Sequence, residues 1–527
     1  MKKILAVILG AATIIATAAV KSDPARKVQM TERVIETFYV DKVDSTAVAE
    51  EAIRAMLKKL DPHSSYSNAA ETKELNEPLQ GNFSGIGIQF QMISDTLYVI
   101  QTIAGGPSER VGILAGDRIL TANDSLISGA KRPNSSVMKL LRGPKGTEVK
   151  VTALRGDDKI DFTIVRDDIP IYSIDASYMA DPETGYVRVT RFAEETPEEM
   201  FKAIKKLQSK GMKRLIIDLQ DNGGGYLQAA TQLAEMFLPV GSPIVSTEGR
   251  AVPTSLYRSE VEPIFDGHIV VLVNQYSASA SEILSGAIQD NDRGVVVGRR
   301  TFGKGLVQRP FPFPDGSMIR LTVARYHTPS GRCIQKPYTS GDDKSYREDL
   351  VNRYNSGEYS SADSIHLNDS LLYHTLRLKR PVYGGGGIMP DRFVAIDTTG
   401  YSKYYRDLMA KGVYNKYVVS YIDANRNELK RRYKNEEQFV KDFKVTDAMI
   451  KDLTELGAKE GVEMSEEGLK TSDGWIRNIL KGLIGRDLFE QSAYWRVANT
   501  QDPVYKEGLR IISDADEYNK VLTSPSN

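Results

Sequence analysis

At 527 residues the chain exceeds what one ordinary hydrophobic core accommodates, so two to four domains are expected. Its 41% hydrophobic and 26% charged content is that of a globular protein, and basic and acidic residues balance at 69 each. That balance, with no long charge run, argues against a nucleic-acid partner, and a single cysteine, Cys333, excludes an intrachain disulfide.

Residues 1–18 read as an export signal. Lys2 and Lys3 precede an apolar or small-residue run over 4–20, and Ala16-Thr17-Ala18 supplies a cleavage site. The run also approaches the length of a bilayer span, so an uncleaved anchor is the alternative. No cysteine lies nearby for lipid attachment. The expected location is outside the cytoplasm, either periplasmic or membrane-associated.

Residues 25–78 are expected to be helical. Val28, Met30, Val34, Ile35, Phe38 and Tyr39 recur at helical spacing, as do Ala49, Ile53, Met56 and Leu57, with a cap at Asp44-Ser45-Thr46 between them. From 82 to 168 the period shifts to short alternating strands separated by Gly- and Asp-rich turns, a compact α+β module.

Residues 170–398 alternate strand and helix. The stretches 214–219, 268–273 and 294–298 are continuous apolar strands, as expected when both sheet faces are covered. Thr196-Pro197-Glu198-Glu199 opens a helix, with Thr as cap, Pro at the first position and Glu reaching back. This is an α/β core, interrupted by a polar insertion at about 338–383, which the permissive joint Gly384-Gly385-Gly386-Gly387 follows. Residues 400–527 return to helical periodicity; Trp475, Ile476, Ile479, Leu480, Leu483 and Ile484 form one apolar face. The whole is therefore an α+β multidomain protein.

Three segments carry candidate chemistry. Ser277-Ala278-Ser279-Ala280-Ser281-Glu282 joins a buried strand to a helix. Taken alone, Ser279 and Glu282 make a capping box. A serine at a helix N-terminus also has free N–H groups nearby, suited to an oxyanion. None of the five histidines (63, 268, 327, 366, 374) stands in a nucleophile-elbow context, and no H-E-x-x-H zinc signature occurs. Lys304, between Gly303 and Gly305, is the other available base; alone it reads as a turn lysine, but buried beside a serine it would lose its charge. Asp218-Leu219-Gln220-Asp221-Asn222-Gly223-Gly224-Gly225 ends a strand with three glycines, either a plain turn or a source of backbone donors.

In order and wording these segments resemble the C-terminal processing peptidases, or tail-specific proteases, of peptidase family S41. That family's serine turn reads S-A-S-A-S-E, its lysine segment T-F-G-K-G and its upstream loop D-L-R-x-N-x-G-G. Here they correspond to residues 277–282, 301–305 and 218–225, and Ser279 and Lys304 stand 25 residues apart. The resemblance runs from about 25 to 395. It implies a crotonase- or ClpP-like α/β core, Ser279 as nucleophile and Lys304 as general base. Gln308, four residues on along the same strand face, would orient the lysine, and the oxyanion would be held by the Ala280 N–H and one N–H from Gly223–Gly225, with Gly224 the first choice. Asp290 corresponds to an acidic position important in some members, or is structural. Gln220 departs from the usual Arg, which puts in doubt any ion pair made there.

The 82–168 module resembles a PDZ domain, with Gly85, Ile86, Gly87 and Ile88 as its carboxylate-binding loop, taking an extended peptide as an added strand. The function implied is a serine endopeptidase that cleaves exported proteins near apolar C-termini. It needs neither cofactor nor metal, and its partners are protein or peptide substrates. The alternative is a non-catalytic PDZ-type peptide-binding scaffold. The C-terminal helices are left as a surface for a homo-oligomer or an adaptor.

Overall fold

The computed structural model describes residues 23–524; the expected signal segment, 1–18, lies outside the described residues. Three N-terminal helices, Pro24–Phe38, Ser45–Lys58 and Ala69–Gln80, occupy the region read as helical. Asp44 caps the second, its carboxylate accepting from the Ala47 N–H at 3.1 Å. Between the second and third helices the chain makes a strand, Ser65–Ser67, that helical periodicity did not announce. It pairs antiparallel with Met318–His327, the partners lying 251 to 255 residues apart.

The next module is an antiparallel sheet of Ile88–Ile93, Thr96–Thr102, Arg118–Ala122, Glu148–Arg155 and Asp158–Val165, with the helix Asn134–Leu141 against it. Leu97, Val99, Ile119, Val149 and Ile164 form its own core. Its two ends are zipped together, because Asn82–Gly85 pairs antiparallel with Asp167–Pro170. The module therefore stands on a two-stranded stalk, and Ile88–Ile93 is left at the edge of its sheet.

The central sheet has six strands in the order Ile174–Met179, Thr184–Val189, Arg214–Asp218, His268–Val273, Val295–Gly298 and Arg392–Phe393. The first pair is antiparallel and the other four pairings are parallel. One face packs on the helices Thr196–Gln208, Leu227–Glu235 and Ala280–Asp290. The opening of the first of these differs from expectation. The Thr196 hydroxyl accepts from Ala193 N–H and donates to Ser173 Oγ, and the Glu199 carboxylate accepts from the N–H groups of Ser173 and Ile174. Donors at the start of the neighbouring strand take the carboxylate that a local capping box would have used.

The other face is closed by the end of the chain. Tyr505, Ile511, Ile512, Tyr518 and Val521 pack against Ile216, Val270, Leu272, Val295 and Val297. The helix Pro503–Ser513 lies close because Gly508 has no side chain; a Cβ there would come 2.6 Å from Leu272 Cδ2. The helical extension thus divides in two. Residues from Tyr404 to Leu488 build a separate bundle core, whereas the last two helices belong to the central sheet. The bundle's Val413–Arg432 helix also touches the stalked module, through Gln91 Nε2 to Asn415 Oδ1 at 3.3 Å and Arg118 to Asp423 at 3.8 Å.

The 338–383 insertion contains the helix Asp343–Asn355 and a short hairpin, Leu372–His374 with Pro381–Tyr383. The glycines after it are pinned rather than free. Gly384, Gly385 and Gly387 donate to the carbonyls of Leu371, Cys333 and Ile334, and the Gly386 carbonyl accepts from Arg300.

Ile511 is fully buried under the central sheet. Ile511→Ala is expected to cost about 3 kcal/mol of stability in urea unfolding. A loss below about 0.5 kcal/mol would mean the terminal helix is not part of the sheet's core.

Candidate active site

The serine turn follows the buried strand His268–Val273 and opens the helix Ala280–Asp290. Its alternating serines divide their work. Ser277 Oγ accepts from Asn274 N–H at 2.9 Å and donates to the Leu219 carbonyl at 2.8 Å, while Ser281 Oγ donates to the Asn222 carbonyl at 2.9 Å. Both face inward and tie the turn to the glycine loop. Ser279, between them, is only partly buried and is held at φ +56°, ψ −113°, a conformation that costs a β-carbon residue energy. Ala280 heads the helix, so its N–H is among the donors a helix leaves without an internal partner.

The glycine loop lies directly on this turn. Gly224 has φ +101°, and a Cβ there would fall 2.8 Å from Ser279 Cβ and 2.9 Å from Ala280 N. Only glycine permits that approach. The Gly224 N–H, expected to be an oxyanion donor, here donates to Asn222 Oδ1 at 2.8 Å, the side-chain turn that an Asn two residues back forms readily. The N–H groups of Gly223 and Gly225 make no hydrogen bond among the described residues. Asn222 is fully buried and fixes the loop, donating from Nδ2 to the Val189 carbonyl and accepting from Ala278 N–H at its own. Its signal in the sequence was its place before three glycines, at the Asn of the loop motif.

Lys304 sits in a loop, residues 299–305, not in a strand; the strand begins at Leu306. What joins this loop to the serine turn is Glu282. Its fully buried carboxylate accepts from the N–H groups of Ser279 (2.8 Å), Lys304 (2.8 Å) and Gly303 (2.7 Å) and from Thr301 Oγ1 (2.5 Å). Burial pushes this carboxyl up to about 7, against the pull of its hydrogen bonds. The sequence presented Glu282 as a local cap, and only its bond to Ser279 N–H is local. The Tyr326 hydroxyl adds a second tie, donating to the Lys304 carbonyl and lying 3.2 Å from that of Ser279.

The Lys304 amine is held below the ordinary lysine range, first by burial and then by the Arg320 charge, with Glu282 and Asp61 opposing. Gln308 does not reach it as expected. A bulge between Val307 and Gln308 breaks the face alternation, and Gln308 Nε2 donates to the Leu306 carbonyl (3.1 Å) and to Thr322 Oγ1 (3.3 Å). Thr322 Oγ1 in turn donates to Asp61, which also accepts from Ser64 Oγ and from His63 and Ser64 N–H. His63 stands 2.9 Å from the Tyr346 hydroxyl, its imidazole pushed down to about 4 by burial with the Lys304 charge adding to the effect. Residues 61–64 therefore wall the lysine side, which no local pattern signalled.

Asp290 lies at the far end of the serine helix, opposite the end that Ser279 caps. Its carboxylate pairs with the fully buried Arg332 at 2.7 Å and accepts from Thr328 Oγ1 and Ser330 N–H. At the stalked module, Ser108 donates N–H (3.0 Å) and Oγ (2.6 Å) to the Ile86 carbonyl, and Ile103 N–H donates to that of Gly87 (3.0 Å). In trans peptides the N–H opposes the C=O, so the Gly87 and Ile88 N–H groups point the other way. Arg142 lies over the Phe83 ring beside them, at 4.2 Å, and pairs with Glu77. Among the described residues no group of three or more His, Cys, Asp or Glu side chains is arranged to hold a metal ion.

Residues 183–344 match the model of peptidase family S41, residues 84–165 that of the PDZ domain, and residues 404–490 that of a family of unknown function. The carboxy-terminal-processing protease of Bartonella bacilliformis is 38% identical over 309 residues, 57% of this chain and 70% of that one. A probable CtpA-like serine protease of Staphylococcus aureus is 34% identical over 338 residues, 62% of this chain and 67% of that one. Among solved structures, the photosystem II D1 C-terminal processing protease is 30% identical, with a TM-score of 0.34, covering 58% of this chain and 83% of that one. The extent of those two sequence matches, together with the S41 and PDZ matches, makes this chain a member of the carboxy-terminal-processing proteases, serine peptidases of family S41 that carry a PDZ domain.

Proposed function

We propose that the protein is an endopeptidase in which Ser279 is the nucleophile and Lys304 its general base. The observation that carries this reading is the Glu282 carboxylate, which accepts from the backbone N–H groups of both residues. The neutral Lys304 amine takes the Ser279 proton as Oγ bonds to the scissile carbonyl carbon. The oxyanion is received by the Ala280 N–H with a second donor from the glycine loop, Gly223 or Gly225. The lysine ammonium then gives its proton to the departing amine, leaving an acyl-enzyme. A water, deprotonated by the same amine, hydrolyses it. Burial and Arg320 favour the free amine that both steps require.

The PDZ domain receives the substrate tail in this reading. The N–H groups of Gly87 and Ile88 face a terminal carboxylate, and the edge strand Ile88–Ile93 takes the extended chain as a further strand. Apolar C-termini suit the partly buried Ile88 and Phe90 beside that loop. The substrates are exported proteins, a reading supported by the apolar run and A-x-A site within residues 1–20.

Ser279→Ala and Lys304→Ala are each expected to lower kcat on an unfolded reporter with an apolar C-terminus by about 10⁴-fold or more; wild-type rates in both would refute the mechanism. The pH profile should rise without a descending limb up to about pH 9. Glu282 accepts all four donors only when ionised, giving a limb near 7. Lys304 must be neutral, giving a second limb below the usual lysine value. Glu282→Gln, which cannot accept from all four donors, should lower kcat about 100-fold and abolish the limb near 7.

A further inference from the structure

Gln220 is the one position of the glycine-loop motif at which this chain departs from the resemblance, and its side chain is engaged. Nε2 donates to Asp502 Oδ2 at 2.8 Å. Asp502 lies beyond both the S41 match, which ends at 344, and the second helical match, which ends at 490. Its other oxygen accepts from the Val504 and Tyr505 N–H groups, so the same carboxylate caps the helix Pro503–Ser513 that closes the central sheet. The guanidinium under the loop comes instead from Arg188, on the neighbouring strand. Arg188 Nη1 donates to Asp218 at 2.6 Å and Nη2 to the Gln220 carbonyl at 3.0 Å, and its guanidinium lies 3.7 Å from the centre of the Trp495 ring. Asp218 closes the circuit by accepting from Gln220 N–H at 2.9 Å.

The glycine loop is thus held from beneath by two residues of the chain's last segment, Trp495 through Arg188 and Asp502 through Gln220. We propose that Asp502 is a positioning residue for catalysis: through Gln220 it fixes the glycine loop against the Ser279 turn, which makes the C-terminal segment a working part of the active site. The inference rests on the serine–lysine reading above and deepens it. An oxyanion donor must sit within a fraction of an ångström of its place, and such contacts act on the transition state more than on bound substrate. Loosening the loop therefore lowers kcat and leaves KM nearly unchanged.

Two variants separate this role from simple stabilisation. Asp502→Ser keeps a helix-capping oxygen but is too short to reach Gln220; Gln220→Met keeps the volume and removes the amide. Each is expected to lower kcat on the reporter about tenfold, with KM within about twofold and the unfolding midpoint within about 2 °C of the parent. The double variant should be no slower than the slower single one, since both remove one contact. Wild-type kcat in Gln220→Met, or kcat losses that multiply in the double variant, would overturn the proposal. Ser279→Ala in the same assay separates the two levels. If it still cleaves, the serine–lysine reading fails. If it is inactive while Gln220→Met and Asp502→Ser are unimpaired, only the role of Asp502 falls.

Discussion

The Glu282 carboxylate is the contact on which the active-site arrangement depends. A fully buried carboxylate carries a desolvation penalty of several kcal/mol, which hydrogen bonds from four donors, at about 1.5–3 kcal/mol each for a charged group, offset only in part. Three of those donors are backbone N–H groups on two separate loops, so the carboxylate is satisfied only when the serine turn and the lysine loop have both adopted their final shapes. The geometry of two segments 25 residues apart in sequence is thereby made a single condition. Removing the carboxylate frees both at once, and it also leaves three buried N–H groups without a partner.

Around that contact the site is assembled from distant parts of the chain. The N-terminal strand Ser65–Ser67 brings Asp61 and His63 to the lysine side. The polar insertion presses on the same loop from outside: Arg353 donates to the carbonyls of Thr301 and Arg300, and Glu358 pairs with both Arg353 and Arg300. The last helices support the glycine loop from below. Segments that look peripheral in sequence, all three contributing residues outside the S41 match, are thus in contact with or packed beside the lysine and glycine loops.

What the sequence revealed divides along the range of the interactions concerned. The apolar runs 268–273 and 294–298 announced buried parallel strands because period and burial are local properties. The serine turn and the glycine loop were legible for the same reason. Glu282 was legible only as a cap, since spacing shows its bond to Ser279 but not those to Gly303 and Lys304. Gln308 was assigned to the lysine by counting along a strand, and one bulge defeats such counting. Gly224 was assigned as a donor from its place in a motif, whereas Asn222 takes its N–H. Asp61, His63 and Asp502 act across roughly 250 residues, and a single sequence contains no trace of pairings at that distance.

The packing of the final helices onto the central sheet also governs how the molecule is made. The strands Arg214–Asp218 and His268–Val273 leave the ribosome long before residues 503–523, yet those residues cover the face that carries Ile216, Val270 and Leu272. Translation proceeds at about 5–20 residues per second, so the uncovered face persists for some tens of seconds, until the helices that cover it have emerged. The glycine loop, whose underside waits for Asp502, is completed at the same moment. A protease built in this way lacks the support beneath its glycine loop until a residue 282 positions downstream of Gln220 has been made.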